Sequence, residues 1–314
     1  MKAVFLDKGT FSEGVDLPAP AGVSDYVTYG DTQDDAATII ERCKDADIII
    51  ANKVKIGAEV ISSLPKLKLI QLTATGMNNV DKDACDKHDV ALYNVAGYAV
   101  KSVPEHTFML MLNAMRAGFY YQQKVTDGSW GNDGSFCLLD VPLIDLEDKT
   151  LGIIGVGTIG KRVTEIAKVF GMKVLWAEHQ GREPRNKDYS AFDEVLAQAD
   201  VISLHTPLTE ETKHLINKDT LEKMQQQPLL VNVARGGIVD SQALVEAINN
   251  EQIIGYATDV FEQEPIVDND PLLSLKEHPR VIFSPHNAWG SKSAQNTLWE
   301  ILSKQVTDFI NEQA

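Results

Sequence analysis

The 314 residues carry 29 Lys+Arg against 45 Asp+Glu, a formal net charge of −16, which argues against a nucleic-acid surface. With 44% hydrophobic and 24% charged residues the mix is that of a soluble globular protein, long enough for two domains. No apolar run approaches the ~20 residues of a membrane span, and the apolar part of the opening MKAVFLDKG is too short for a signal peptide.

Cys43, Cys85 and Cys137 are scattered and the seven histidines lie far apart, so a reduced cytoplasmic protein without a metal site is expected. Short β-branched runs alternate with helix-length amphipathic stretches, the pattern of parallel α/β sheets. AVFLD, DIIIAN, LKLIQLTA and VALYNV read as strands of a first unit, each almost continuously apolar as in a sheet covered on both faces. DDAATIIERCKDA and GAEVISSLPK read as helices between them. From about Val103 through HTFMLMLNAMRAGFYYQQKV apolar residues recur at helical spacing, and Pro104 suits a first turn. One long helix is expected there.

The loop TDGSWGNDGSF leads to a second α/β series with strands TLGIIG, KVLWAE, DVISLH, PLLVNVA, IIGYATDV and RVIFSPH. The last segment places Leu298, Ile301, Leu302, Val306, Phe309 and Ile310 on one helical stripe. Packing that stripe back onto the first unit would make the first domain discontinuous. No internal repeat or low-complexity tract stands out.

TLGIIGVGTIGKRVTEIAKVFG holds Gly155, Gly157 and Gly160 as G-x-G-x-x-G between an apolar strand and a periodic helix, the context of a dinucleotide loop. The first glycine permits the tight turn, the second lets a pyrophosphate approach the backbone, and the third lets helix and strand pack closely. The helix N-terminus adds unpaired N–H groups and partial positive charge. Glu178 ends the next strand, where a carboxylate can accept both ribose hydroxyls and repel a 2′-phosphate, favouring NAD over NADP. His179, Arg182 and Arg185 follow closely and soften that preference.

Ligands of open parallel sheets sit beyond the carboxyl ends of strands. LLVNVARGGIVD brings Arg235 to one such end, GYATDVFEQEP brings Asp259, Glu262 and Glu264 to another, and VIFSPHNAWG brings His286 to a third. Each alone has a bland reading as a surface ion or packed histidine. Together with a hydride carrier they supply a cation for a carboxylate and carbonyl oxygen, a proton donor, and a carboxylate that favours and orients the charged imidazole.

On LGIIGVGTIGKRV, VISLHTPLTEETKHLIN, LLVNVARGGIVD, GYATDVFEQEP and SPHNAW, the sequence resembles the D-isomer-specific 2-hydroxyacid dehydrogenase family along essentially its whole length. The resemblance implies two doubly wound parallel-sheet domains, Rossmann-like and flavodoxin-like, with a cleft between them. Residues 1–100 with 287–314 would form the substrate domain and 101–286 the NAD-binding domain. It further implies Arg235 as the substrate-binding arginine, Glu264 as the histidine's partner and His286 as the acid/base. Asp259 is implied to hold the nicotinamide amide. Thr158, Ile159, His205, Thr206, Pro207, Val233 and Ala234 are implied to complete the cofactor cleft.

ATGMNNVD is similar to the family's glycine-containing loop, which implies that Ala74, Thr75 and Gly76 hold the substrate carboxylate. The family often has Asp at the position of Asn78. Asn52 and Lys53 are expected to face the same cleft, with Lys53 equally readable as a solvated side chain. Domain closure would exclude water. A homodimer through the cofactor domain, with residues 103–145 and the Trp130 loop in contact, is also implied.

Glu264 stands where formate dehydrogenases have glutamine, and the chain ends without the regulatory domain of many phosphoglycerate dehydrogenases. HNAWGS and WAEHQGRE resemble glycerate dehydrogenases (hydroxypyruvate reductases), with Trp289 a flat wall beside a hydroxymethyl group or else a core tryptophan. Hydroxypyruvate/D-glycerate is thus the expected substrate pair, glyoxylate a second, and NAD (NADP as alternative) the cofactor. The rival readings are another D-2-hydroxyacid or phosphoglycerate dehydrogenase, oxidation of phosphite or another inorganic anion, and a NAD-sensing corepressor-like binding protein.

Overall fold

A computed structural model describes residues 1–313, without the side chain of Asp133. The chain forms two compact units, one of Met1–Ala99 with the segment from Trp289 onward, the other Val100–Ala288. The expected crossing lay after His286. Asn287 and Ala288 stay with the second unit because their N–H groups donate to the Asp259 carboxylate at 3.0 and 2.8 Å.

The first unit is built on a five-stranded parallel sheet of β1 (Lys2–Phe5), β2 (Asp25–Thr28), β3 (Ile48–Ala51), β4 (Leu69–Leu72) and β5 (Ala91–Tyr93). The order β2-β1-β3-β4-β5 reverses at β1. β3 (IIIA) and β4 (LIQL) are buried along their whole length, as largely apolar strands covered on both faces are, with Gln71 the one polar side chain among them. β2 has no such run: its edge position leaves DYVT half-exposed, which is why apolar periodicity does not reveal it.

The terminal helix Lys292–Glu312 opens on Ser291, whose side chain accepts from the Ala294 N–H. Its residues Leu298, Trp299, Leu302, Val306 and Phe309 are buried against Phe5, Ile48, Ile50 and Leu69. Trp299 stacks on Phe5 at 5.7 Å and donates its indole N–H to the Pro18 carbonyl at 3.1 Å. Burying each such side chain stabilises by about 1.5–3 kcal/mol, enough to tie this distant segment to the first hundred residues.

The second unit carries a seven-stranded parallel sheet of β6 (Thr150–Ile154), β7 (Lys173–Ala177), β8 (Tyr189–Ser190), β9 (Val201–Leu204), β10 (Leu229–Asn232), β11 (Gly255–Thr258) and β12 (Val281–Phe283). Its order, β12-β11-β10-β9-β6-β7-β8, reverses at β6, so the loop leaving β6 opens at the switch point where ligands bind.

The long helix expected from Val103 is two helices, Ser102–Met115 and Gly118–Thr126, separated by Ala117 in the left-handed region at φ 48°. The buried Arg280 donates to the carbonyls of Ala114 and Met115 at 2.9 and 3.0 Å, satisfying the end of the first helix. A guanidinium so distant in sequence leaves no trace in local periodicity. Among the described residues no helix is long and apolar enough to cross a membrane, and no group of three or more His, Cys, Asp or Glu is placed to hold a metal.

Candidate active site

The loop after β6 behaves as three distinct glycines. Gly155 has φ +98°, and a Cβ there would stand 2.5 Å from the backbone of His205 and Thr206. At Gly160 an added Cβ would lie 2.4 Å from the Gly155 carbonyl, so this position permits the helix Thr158–Val169 to seat on β6. A Cβ on Gly157 meets nothing within 4 Å. Gly157 is the N-cap and contributes no side-chain cap, leaving the first N–H groups of the helix for a ligand. These features fit a dinucleotide pyrophosphate.

Gly157→Ala should therefore fold normally, with Tm within a few degrees of wild type, and lose NADH affinity by about tenfold or more. Calorimetric titration alongside thermal melting checks both halves.

The loop borders a cavity of about 590 Å³, lined among others by Gly155, Gly157, Glu178, His205, Thr206 and Pro207. That volume falls within the roughly 300–1,000 Å³ of small-molecule and cofactor sites. Of the other expected cofactor residues, Thr158, Ile159 and Gly160 start the adjoining helix, whereas Val233, Ala234 and Asp259 lie at the ends of β10 and β11 outside this lining. His205 accepts or donates a 2.9 Å bond with Ser203, and burial pushes its imidazole down to about 4, so it stays neutral at physiological pH.

Glu178 is buried and already engaged. Arg185 grips it with Nε at 2.7 Å and a second guanidinium nitrogen at 2.5 Å, and the N–H groups of His179 and Arg185 donate to it at 2.9 Å each. The Arg185 side chain, followed by these backbone donors, holds the carboxyl well below the usual carboxylate range.

The three candidate catalytic residues follow β10, β11 and β12, which are neighbours in the sheet. Arg235 is half-buried and donates one guanidinium N–H to the Ala234 carbonyl at 2.6 Å. Gly236 behind it packs so closely that a Cβ would fall 1.9 Å from the Phe261 carbonyl carbon, bringing the Arg235 turn against the 261–264 segment. Glu264 receives the Phe261 N–H on Oε1 at 3.1 Å and meets His286 Nδ1 with Oε2 at 2.6 Å. His286 sits at φ +50°, a region histidine enters more readily than most residues, and its N–H donates to the Ser284 carbonyl. With Nδ1 committed to the carboxylate, Nε2 is the nitrogen left for proton exchange.

Two neighbouring acids have other work. Glu262 accepts from the Ser241 N–H at 3.0 Å and pairs with His214 at 3.1 Å. Asp259 accepts from Ser284 Oγ at 2.6 Å and from the Asn287 and Ala288 N–H groups, with His106 Nε2 at 3.4 Å. Burial opposes ionisation of Asp259, but bonds from His106, Ser284, Ala288 and Asn287 outweigh it and hold the carboxyl below its usual range. The carboxylate anchors the segment that carries His286. Sequence reasoning missed the roles of His106 and Ser284: His106 belongs to no recognisable motif, Ser284 opens SPHNAW without showing what it binds, and their meeting depends on the helix Ser102–Met115 packing across the strand ends.

In the first unit, Asp7 at the end of β1 was likewise not anticipated. Its carboxylate accepts the N–H groups of Asn52, Lys53 and Val54 and shapes the turn after β3. Lys53 is exposed, and Asn52 is buried with an Nδ2 that meets no hydrogen-bond partner. The loop after β4 exposes Thr75 and Asn78, half-exposes Ala74 and Gly76, and is braced by Thr75 Oγ1 on the Val95 carbonyl at 2.9 Å. Trp289 is half-buried, edge-on to Phe11 and Tyr98.

Residues 108–288 match the model of the D-isomer specific 2-hydroxyacid dehydrogenase NAD-binding domain. The chain is 37% identical to a glycerate dehydrogenase of Methylorubrum extorquens over 98% of its length and 96% of that protein's. It is 33% identical to a hydroxypyruvate reductase of Blautia hydrogenotrophica, covering 99% and 97% respectively. Among solved structures, a D-lactate dehydrogenase of Aquifex aeolicus, complexed with NAD and lactic acid, superposes with a TM-score of 0.78 at 28% identity, covering 99% of this chain and 96% of that one. The open glycine cradle, a parallel sheet in each unit and these likenesses agree: the chain belongs to the D-isomer specific 2-hydroxyacid dehydrogenase family and takes a nicotinamide dinucleotide as its cofactor.

Proposed function

We propose that the protein reduces a small 2-keto acid to the D-2-hydroxy acid and catalyses the reverse, with hydroxypyruvate (to D-glycerate) the preferred substrate and glyoxylate (to glycolate) the second. The observation that carries the reading is the 2.6 Å Glu264–His286 pair, on a strand end beside the one bearing Arg235, in the unit that holds the dinucleotide loop. The names of the relatives above support the choice of substrate.

The nicotinamide, when bound, supplies or accepts the hydride. Arg235 offers a forked cation for the substrate carboxylate and the carbonyl oxygen. His286 delivers a proton from Nε2 to the forming alkoxide, and Glu264 stabilises the charged ring and fixes its orientation. In the same proposal Ala74, Thr75, Gly76 and Lys53 bind the carboxylate end, Trp289 borders the hydroxymethyl group, and Asp259 adds a contact to the nicotinamide amide. The exposed Phe119, Val125, Trp130 and Phe136 support a homodimer through this region, and the free thiols Cys43, Cys85 and Cys137 fit the cytoplasm.

Removing the carboxylate should leave the ring without the partner that orients it. In Glu264→Gln kcat/KM for keto-acid reduction should fall by about tenfold or more, with NADH affinity near wild type. An unchanged kcat/KM would remove Glu264 from the mechanism. The substrate is tested by ranking kcat/KM for hydroxypyruvate, glyoxylate, pyruvate and phosphohydroxypyruvate. Hydroxypyruvate should lead, and a lead for phosphohydroxypyruvate would replace the reading with that of a phosphoglycerate dehydrogenase.

A further inference from the structure

The adenosine end of the cofactor cavity is built around an ion pair. A ribose-reading carboxylate needs free lone pairs, yet both oxygens of Glu178 are taken by the Arg185 fork and by two backbone N–H groups. Arg185 is itself held, its guanidinium lying 4.5 Å over the Tyr189 ring while about half of its side chain remains exposed in the same cavity. Arg182 and Glu211 face each other at 3.6 Å along that lining.

A lone glutamate here would repel a 2′-phosphate. A glutamate neutralised in place by a planar, five-donor cation does not, and the cation has donors left to offer. We infer that Arg185 is a cofactor-selecting residue: its pairing with Glu178 lets the site admit a 2′-phosphorylated dinucleotide as well as the unphosphorylated one, through contact of the guanidinium with the 2′-phosphate. Glu178 and Arg185 act as opposing halves of one selector. The carboxylate favours ribose hydroxyls when released, and the guanidinium favours phosphate when released. The inference rests on the assignment of this cavity to the cofactor and is independent of the keto acid.

Calorimetric titration of NADH and NADPH into wild type, Arg185→Gln and Glu178→Gln tests it, with 5′-AMP and 2′,5′-ADP as probes of the adenosine half alone. Wild type should bind both dinucleotides. Arg185→Gln should raise the ratio Kd(NADPH)/Kd(NADH) by about tenfold or more, as loss of a charged contact implies, and Glu178→Gln should lower it by a similar factor. The two adenosine probes should follow the same order. Ratios unchanged in both variants, or a wild type that binds NADH and excludes NADPH, overturn the selector role while leaving the cofactor site intact. A wild type that binds neither dinucleotide overturns both.

Discussion

His286→Ala should lower kcat for keto-acid reduction by about 10²- to 10⁴-fold, the range that a positioned general acid contributes. NADH affinity should stay near wild type, because the imidazole pairs with Glu264 and lies outside the lining of the cavity around the glycine loop. The loss should shrink as the pH is lowered and solvent becomes a better proton source. Single-turnover kinetics with saturating NADH separate this loss of chemistry from any change in product release. Near-normal reduction by the variant would dismiss His286 as the donor. The bond from its backbone N–H to the Ser284 carbonyl is main-chain, so the substitution leaves it in place, although alanine is less at ease than histidine at φ +50°. A folded-state check by circular dichroism therefore belongs with the kinetics.

Arg235→Ala should act on both kinetic constants. A guanidinium that clamps the carboxylate in the ground state and supports the carbonyl oxygen as charge develops contributes to binding and to chemistry. The expected result is a steep rise in KM for the keto acid and a fall in kcat, together roughly 10²- to 10³-fold in kcat/KM. Arg235→Lys should recover only part, since a point charge cannot reproduce a planar fork. A KM change with kcat intact would confine Arg235 to binding. No change in either constant would identify it as a surface cation, the bland reading of an arginine beside two glycines.

How much of this was legible in the sequence follows from the range of each signal. β3, β4, β6 and β10 announce themselves because a strand covered on both faces is largely apolar along its length. β2 and β8 do not, since their sequences DYVT and YS lie at sheet edges and carry no periodicity. Gly155, Gly157 and Gly160 were readable as a set because their spacing encodes a backbone geometry. Glu264 and His286 were readable because their motifs are contiguous, and their 2.6 Å contact follows from β11 and β12 being neighbours.

Other features depend on partners that no local pattern specifies. The break at Ala117 is fixed by Arg280, the Asp259 carboxylate is drawn to His106 and Ser284, and Glu178 is taken by Arg185. In each, a single polar residue finds a partner through tertiary folding, and the sequence shows the residue without its obligation. Glu178 is the sharpest instance, because motif reasoning assigns its carboxylate to a ribose while the structure shows it bound by four protein donors.

The measurement that bears most directly on the central claim is NADH oxidation by the purified wild-type protein in the presence of hydroxypyruvate, with the product resolved by chiral chromatography. Sustained turnover on the order of 1–10³ per second with D-glycerate as the product is predicted. Cofactor binding without turnover would contradict the account and leave a dinucleotide-sensing protein in its place, and L-glycerate as the product would contradict the proposed reduction to a D-2-hydroxy acid.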